Sequence, residues 1–221
     1  QTLEHLDRCL TCRACETTCP SGVEYSKLAD IGRRVAEERI GRPLWQRLLR
    51  QGMRQFFARS GLVRAGLAVG RIVRFALPNS LAEQIPVRPA AQIPQVRVDT
   101  TPSSKRLLLL AGCVQSAAVP RTNDATRRVL ARLGFETEVV TGAGCCGAIA
   151  HHMNAEHAAL EQMRRNIDAW RPNLEADADE LVFDASGCGA VIKEYGYLLR
   201  HDPAYATAAA FVSERARDVS E

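Results

Sequence analysis

Four cysteines crowd the first twenty residues. Cys9, Cys12, Cys15 and Cys19, with Pro20 after them, spell C-x2-C-x2-C-x3-C-P. This run limits what the chain can do, because four thiols this close in sequence must be paired, ligating or reactive. Disulfides fit poorly: disulfide scaffolds are small and cysteine-dense throughout, whereas 93 residues without a cysteine separate Cys19 from Cys113. The spacing is that of bacterial iron–sulfur ligation. Two-residue gaps let the backbone wrap a cubane and offer it three thiolates. The fourth cysteine, set off by three residues and a proline, is turned toward a second cluster. Cys9, Cys12, Cys15 and Cys19 are therefore the expected cluster ligands. The alternative is a zinc knuckle, but zinc sites favour paired C-x2-C elements. A second run of the same kind, needed to complete a pair of clusters, is missing from these 221 residues. With Gln1 in place of a starting Met, this leads us to expect a fragment lacking upstream sequence. No basic and apolar leader precedes the motif.

The other four cysteines, Cys113, Cys145, Cys146 and Cys188, lie in a region that reads as alternating strands and helices. Leu107–Ala111 predicts a first strand, Phe135–Val140 a second and Leu181–Asp184 a third. Helices are expected from Thr122 or Asn123 to Leu133 with Gly134 as its stop, over Glu156–Trp170 ended by Pro172, and over Val191–Leu199. Such alternation implies a parallel sheet with right-handed crossovers. All four thiols then fall just beyond the carboxyl ends of strands, where open α/β sheets place ligands. Each has glycine nearby, which lets backbone approach a bulky group. Neighbouring Cys145 and Cys146 suit different irons of one cluster better than a single tetrahedral zinc. Buried structural cysteines are the bland alternative. His151 and His152 follow the Cys145-Cys146-Gly147 loop. His152 is a weak candidate for redox-linked proton transfer, against a role as a hydrogen-bonding neighbour.

Between these regions the composition changes. No acidic residue occurs from Arg39 to Ala82, while nine arginines do, interleaved with Leu44, Trp45, Leu48, Leu49, Phe56 and Phe57. This basic helical stretch fits an anionic membrane surface, an acidic partner face, or packing with solvated arginines. Its aromatics are at helical spacing and form no sheet platform, which argues against nucleic acid. Prolines 78, 86, 89, 94 and 102 mark a linker. Before it, Tyr25–Arg39 predicts a helix whose Leu28, Ile31 and Val35 face packs on a neighbour. The expected organisation is 1–40, half of a ferredoxin-type iron–sulfur domain; 41–104, basic helices and linker; and 105–221, an α/β parallel-sheet domain, giving an α+β or α/β chain. No stretch is apolar and long enough to span a bilayer. Clustered thiols suit a reducing compartment, hence the cytoplasm, with peripheral contact to the inner face of its membrane through the basic stretch.

At these residues the chain resembles the cysteine-rich CCG family. That family includes subunits of heterodisulfide reductase and of anaerobic glycerol-3-phosphate, lactate-utilising and glycolate-oxidising complexes. Gly112-Cys113-Val114-Gln115, Ala143-Gly144-Cys145-Cys146-Gly147-Ala148, His152 with Asn154, Asn166-Ile167-Asp168-Ala169-Trp170, Ala185-Ser186-Gly187-Cys188-Gly189 and Lys193-Glu194-Tyr195-Gly196 are most similar to the glycolate oxidase iron–sulfur subunits. The chain departs from the family's final C-x2-C, having Ala185 where the first of those thiols would stand. The resemblance implies two 4Fe-4S clusters in the intact protein and a further iron–sulfur or zinc centre at the CCG site. It also implies partner subunits that bind FAD and oxidise glycolate, and electron delivery to the quinone pool. The resemblance also places hydride removal on a partner. Lactate-utilising and glycerol-3-phosphate complexes are the alternatives within this class. A non-redox zinc-stabilised interaction module is the alternative outside it.

Overall fold

The computed structural model describes residues 2–83, 85 and 105–221. The apolar run after Lys105 forms β1 (Arg106–Leu109) at the heart of a four-stranded sheet. It pairs in parallel with β2 (Glu136–Glu138) on one side and β3 (Ala178–Phe183) on the other, and β4 (Ala216–Asp218) pairs in parallel with β3. The order is β2-β1-β3-β4, so the chain winds outward from β1 in one direction and then in the other. The crevice between the carboxyl ends of β1 and β3 is thus a topological switch point.

Side chains alternate across the sheet, as the two-residue strand period requires. Leu108, Leu110, Leu181 and Phe183 enter the larger core, whereas Leu107 and Val182 meet Leu130 and Phe135 on the opposite face. The larger core is filled by α10 (Glu156–Ala176), which presents Met163, Ile167, Trp170 and Leu174 at helical spacing. This helix runs six residues beyond its expected end and carries Pro172 inside it. A proline there costs about 3 kcal/mol. Burying four large side chains at roughly 1.5–3 kcal/mol each outweighs that, so packing overrides the local signal.

The expected helix over Val191–Leu199 divides into α11 (Ser186–Ile192) and α12 (Tyr195–Leu198). Ser213, on α13 (Ala206–Glu214), accounts for the break. Its hydroxyl donates to the Ile192 carbonyl (2.9 Å) and accepts from the Gly196 amide (3.0 Å). These are the groups that a continuous helix would join to each other, and an inserted side chain bends the ladder. The break turns Tyr195 into the core, where it is fully buried. β4 was not expected, because Ala216-Arg217-Asp218 lacks an apolar alternation. The helix after β1 begins earlier than expected: α7 (Gln115–Ala118) precedes α8 (Pro120–Arg132), which has its proline in the first turn.

Ahead of the sheet come α1 (Thr2–Asp7), α2 (Ala14–Thr17), α3 (Tyr25–Ile40), α4 (Leu44–Phe57), α5 (Ser60–Val73), a 3-10 turn at Arg74–Ala76 and α6 (Asn79–Ala82). The expected packing face of α3 is the exposed one. Leu28, Ile31 and Val35 face solvent, while Ser26, Arg33 and Ala36 are buried. Arg33 causes the inversion, because its guanidinium is committed to backbone acceptors beneath the helix. Among the described residues no helix is long and apolar enough to cross a membrane. Of the expected linker prolines, Pro86, Pro89, Pro94 and Pro102 lie outside the described residues.

Two glycines of α11 separate packing from propensity. A Cβ on Gly189 would run into the Phe183 ring, whereas one on Gly187 meets nothing within 4 Å. Gly189→Ala should lower unfolding free energy by about 1–3 kcal/mol through overpacking. Gly187→Ala should be neutral or raise it by up to about 1 kcal/mol. Urea unfolding of the two variants measures both.

Candidate cysteine-lined redox centre

The structure draws Cys113, Cys145, Cys146 and Cys188 into one chain of contacts at the β1/β3 switch point. Cys145 is hydrogen-bonded to Cys113 and Cys146, and Cys146 to Cys188. Cys113 follows β1 on a turn whose Gly112 has φ +70°. Cys188 sits in the first turn of α11, directly beyond β3. Cys145 and Cys146 arrive on the loop after β2, which Gly147, at φ +89°, turns into α9 (Ala148–His152). A Cβ at Gly147 would meet the Ala159 carbonyl at 3.1 Å, so the close approach of loop to α10 requires glycine. Cys113, Cys145 and Cys146 are buried and Cys188 is half-buried. A cavity of about 160 Å3 lies beside Cys113 and Cys145, with Gly112, Gly144 and Trp170 in its wall.

The thiols differ in acidity. Cys145 is pulled down to about 3, first by the hydrogen bonds from Cys113 and Cys146, with help from the Gly147 amide and the Arg165 charge. Cys188 is lowered by its bond from Cys146. Cys113, which donates to Cys145, and Cys146, whose single S–H is shared between Cys145 and Cys188, are buried and pushed well up. The ligating form of cysteine is the thiolate. Cys145 as a thiolate with three further cysteine sulfurs around it, beside a cavity, forms a donor set that fits a soft cation or an iron–sulfur cluster.

The Cys145-Cys146 loop is held from below. Asn166, fully buried on α10, accepts from the Gly144 amide (2.8 Å) and donates to the Cys145 carbonyl (2.9 Å). Tyr195 donates to the Cys146 carbonyl (2.7 Å) and lies stacked beside Trp170. On the Cys113 side, Asp184 receives bonds from Gln115 and Thr126, and Asn123 donates to the Ala111 carbonyl at 2.7 Å. Sequence reading quoted Asn166, Tyr195 and Gln115 only as part of a resemblance. Their roles depend on contacts across 21 to 69 positions that no local pattern displays.

The first cysteine run forms a separate, shallow loop. Cys9, Cys12 and Cys15 are exposed and Cys19 is half-buried. Thr11 (φ +54°) and Arg13 (φ +59°) are left-handed, coiling the loop tightly despite the penalty for side chains there. Cys19 is favoured as a thiolate by the amides of Val23 and Ser21 and by the Tyr25 hydroxyl. Beneath the loop, buried Arg33 donates to the carbonyls of Leu6 (3.1 Å) and Cys9 (2.9 Å), to Thr11 (3.3 Å) and to Asp30 (3.3 Å). Arg33 was missed in the sequence; the spacing Asp30–Arg33 on a helix was its only signal.

His151 and His152 end α9. His151 pairs with Asp30 of α3 at 3.0 Å. Burial lowers the His152 pKa, and the neighbouring His151 adds to this.

Residues 107–193 match the CCG family, described as a cysteine-rich domain. Over all 221 residues the chain is 47% identical to the glycolate oxidase iron-sulfur subunit of Escherichia coli, of which it covers 54%. It is 27% identical over 237 aligned positions to the probable glycolate oxidase iron-sulfur subunit of Bacillus subtilis, covering 97% of this chain and 53% of that protein. About half of the chain is 25% identical to lactate utilization protein A of the same organism. The chain thus spans about half the length of the curated relatives it matches. No solved structure matches it.

Two predictions follow from the supports. Asn166→Leu strands the Gly144 amide and Cys145 carbonyl and should cost about 2–4 kcal/mol. It should also make Cys145 and Cys146 react faster with a thiol reagent under native conditions, whereas Tyr195→Phe should do so weakly. Arg33→Lys cannot reach four acceptors with one ammonium. It should speed hydrogen exchange in the loop from Leu6 to Thr11 while leaving Asn166-dependent protection unchanged.

Proposed function

We propose that the chain is part of an iron–sulfur electron-transfer subunit of a complex that oxidises glycolate. The observation that carries this reading is the 47% identity over the whole chain to a glycolate oxidase iron-sulfur subunit, joined to a thiolate-bearing cysteine cluster at the switch point of the sheet. Cys9, Cys12 and Cys15 would hold one 4Fe-4S cluster and Cys19 would serve a second, in the manner of a two-cluster ferredoxin segment over residues 1–40. Cys113, Cys145, Cys146 and Cys188 would hold a further iron–sulfur or metal centre in a domain over residues 105–221. An iron–sulfur cluster supplies one-electron transfer, and its potential is set by hydrogen bonds and exposure. The amides and the Tyr25 hydroxyl facing Cys19, and the mutual bonds of Cys113, Cys145, Cys146 and Cys188, are the chain's own means of setting it. Substrate oxidation would belong to an FAD-binding partner, and the electrons would pass on toward quinone.

The basic segment over residues 41–104 fits a peripheral contact with the cytoplasmic face of the membrane. Leu44, Trp45, Leu48 and Leu49 lie exposed on α4, in a stretch with arginines and no acid. A lactate-oxidising role is disfavoured, since that similarity reaches only half of the chain and 25% identity.

The full-length protein purified without oxygen tests the reading. It should contain iron and acid-labile sulfide, absorb broadly near roughly 400 nm and bleach with dithionite, as thiolate-bound clusters do. Cys12→Ser should remove about four irons, and Cys145→Ser should alter a different part of the spectrum. A colourless, zinc-loaded protein would instead mark an interaction module and overturn the proposal.

A further inference from the structure

Asp30 on α3 and His151 and His152 on α9 bring one carboxylate oxygen and two imidazole nitrogens within 4.8 Å of one another. Neither helix contributes enough alone; the cluster exists only because the N-terminal segment docks on the cysteine-rich domain. The Asp30 Oδ2–His151 Nε2 separation of 3.0 Å is near the edge of a coordination tetrahedron with arms of about 2.0 Å. The two imidazole rings are 5.3 Å apart at their centroids and tilted by 55°. Arg33 holds the other carboxylate oxygen of Asp30 at 3.3 Å, which orients the group from outside the cluster.

A second observation points to a ligand. His152 Nδ1 is buried and has no hydrogen-bond partner among the described residues. Leaving such a nitrogen unsatisfied is unfavourable, and a cation is a partner that an imidazole can take without a proton. On the open side, Asp30 and His151 line a cavity of about 720 Å3 together with Asn154 and Tyr197. That cavity gives an entry path and room for a solvent ligand.

We infer that Asp30, His151 and His152 form a binding site for a divalent first-row transition cation of the zinc class, clamping α3 to α9. Two imidazoles and one carboxylate suit such a cation. Calcium and magnesium prefer all-oxygen shells. The site shares no residue with either cysteine cluster and does not depend on their redox role.

The probe is zinc, added at controlled free concentrations to the full-length, iron–sulfur-loaded protein under anaerobic conditions, with bound zinc read by elemental analysis. The native chain should take up about one zinc through this three-ligand site. His151→Gln, His152→Phe and Asp30→Asn should each weaken that uptake by roughly 100-fold or more, with iron and sulfide contents unchanged. His157→Gln, an exposed histidine outside the cluster, should leave it intact. Asp30→Asn keeps a hydrogen-bonding side chain opposite His151, so it decides the matter if His152→Phe fails to fold. A mere Asp–His hydrogen bond predicts the reverse for His152→Phe: a protein at least as stable, with zinc uptake unaltered. Zinc uptake that survives all three substitutions, or none by the native chain, overturns the inference.

Discussion

The candidate centre depends on the two bonds that Asn166 makes to the loop above it. One side-chain amide both accepts from Gly144 and donates to Cys145, so the loop's height over the sheet and its rotation are fixed together. Tyr195 repeats the contact one residue on, at the Cys146 carbonyl. Both partners are fully buried, and in that low-dielectric setting each bond is stronger and each loss more damaging than at the surface. The Cys145 and Cys146 thiols can therefore be held in a fixed order although their loop is not part of a regular element.

The sheet supplies the other half of the arrangement. Its strand order makes the crevice between β1 and β3 the place where loops diverge. Cys113 and Cys188 come from the ends of those two central strands, and the Cys145-Cys146 pair comes in over them from the loop after β2. Hydrogen bonding within the group then separates acidity. Cys145 is stabilised as thiolate by its neighbours, and those neighbours are held protonated by it. A cation entering such a group meets one charged donor, Cys145, with three further sulfurs already gathered around it.

The N-terminal segment is tied to this domain by polar contacts. Asp30 meets His151, Glu37 accepts from Asn154 at 2.7 Å, Arg13 pairs with Glu194, and Lys27 lies 4.2 Å over the Tyr197 ring. Arg33, at the centre of α3, holds the first cysteine loop from the same helix that makes these contacts. The loop that would carry electrons and the domain that would receive them thus share one mechanical support.

Much of this was readable along the chain. The thiol spacing at Cys9–Cys19, the strand–helix alternation after Lys105 and the glycines beside each later cysteine are short-range patterns, and short-range patterns survive in a linear text. What escaped were the outcomes of competition between distant groups. Pro172 stayed inside a helix because four buried side chains outweighed it. Ser213 broke another helix by bridging Ile192 and Gly196. Arg33 inverted the buried face of α3. Composition and spacing pointed to the candidate donor atoms and to the class of fold. Which thiol is most acidic, which carbonyls are held and which carboxylate meets His151 were settled only when residues far apart in the chain met, because burial and hydrogen bonding are properties of the assembled neighbourhood.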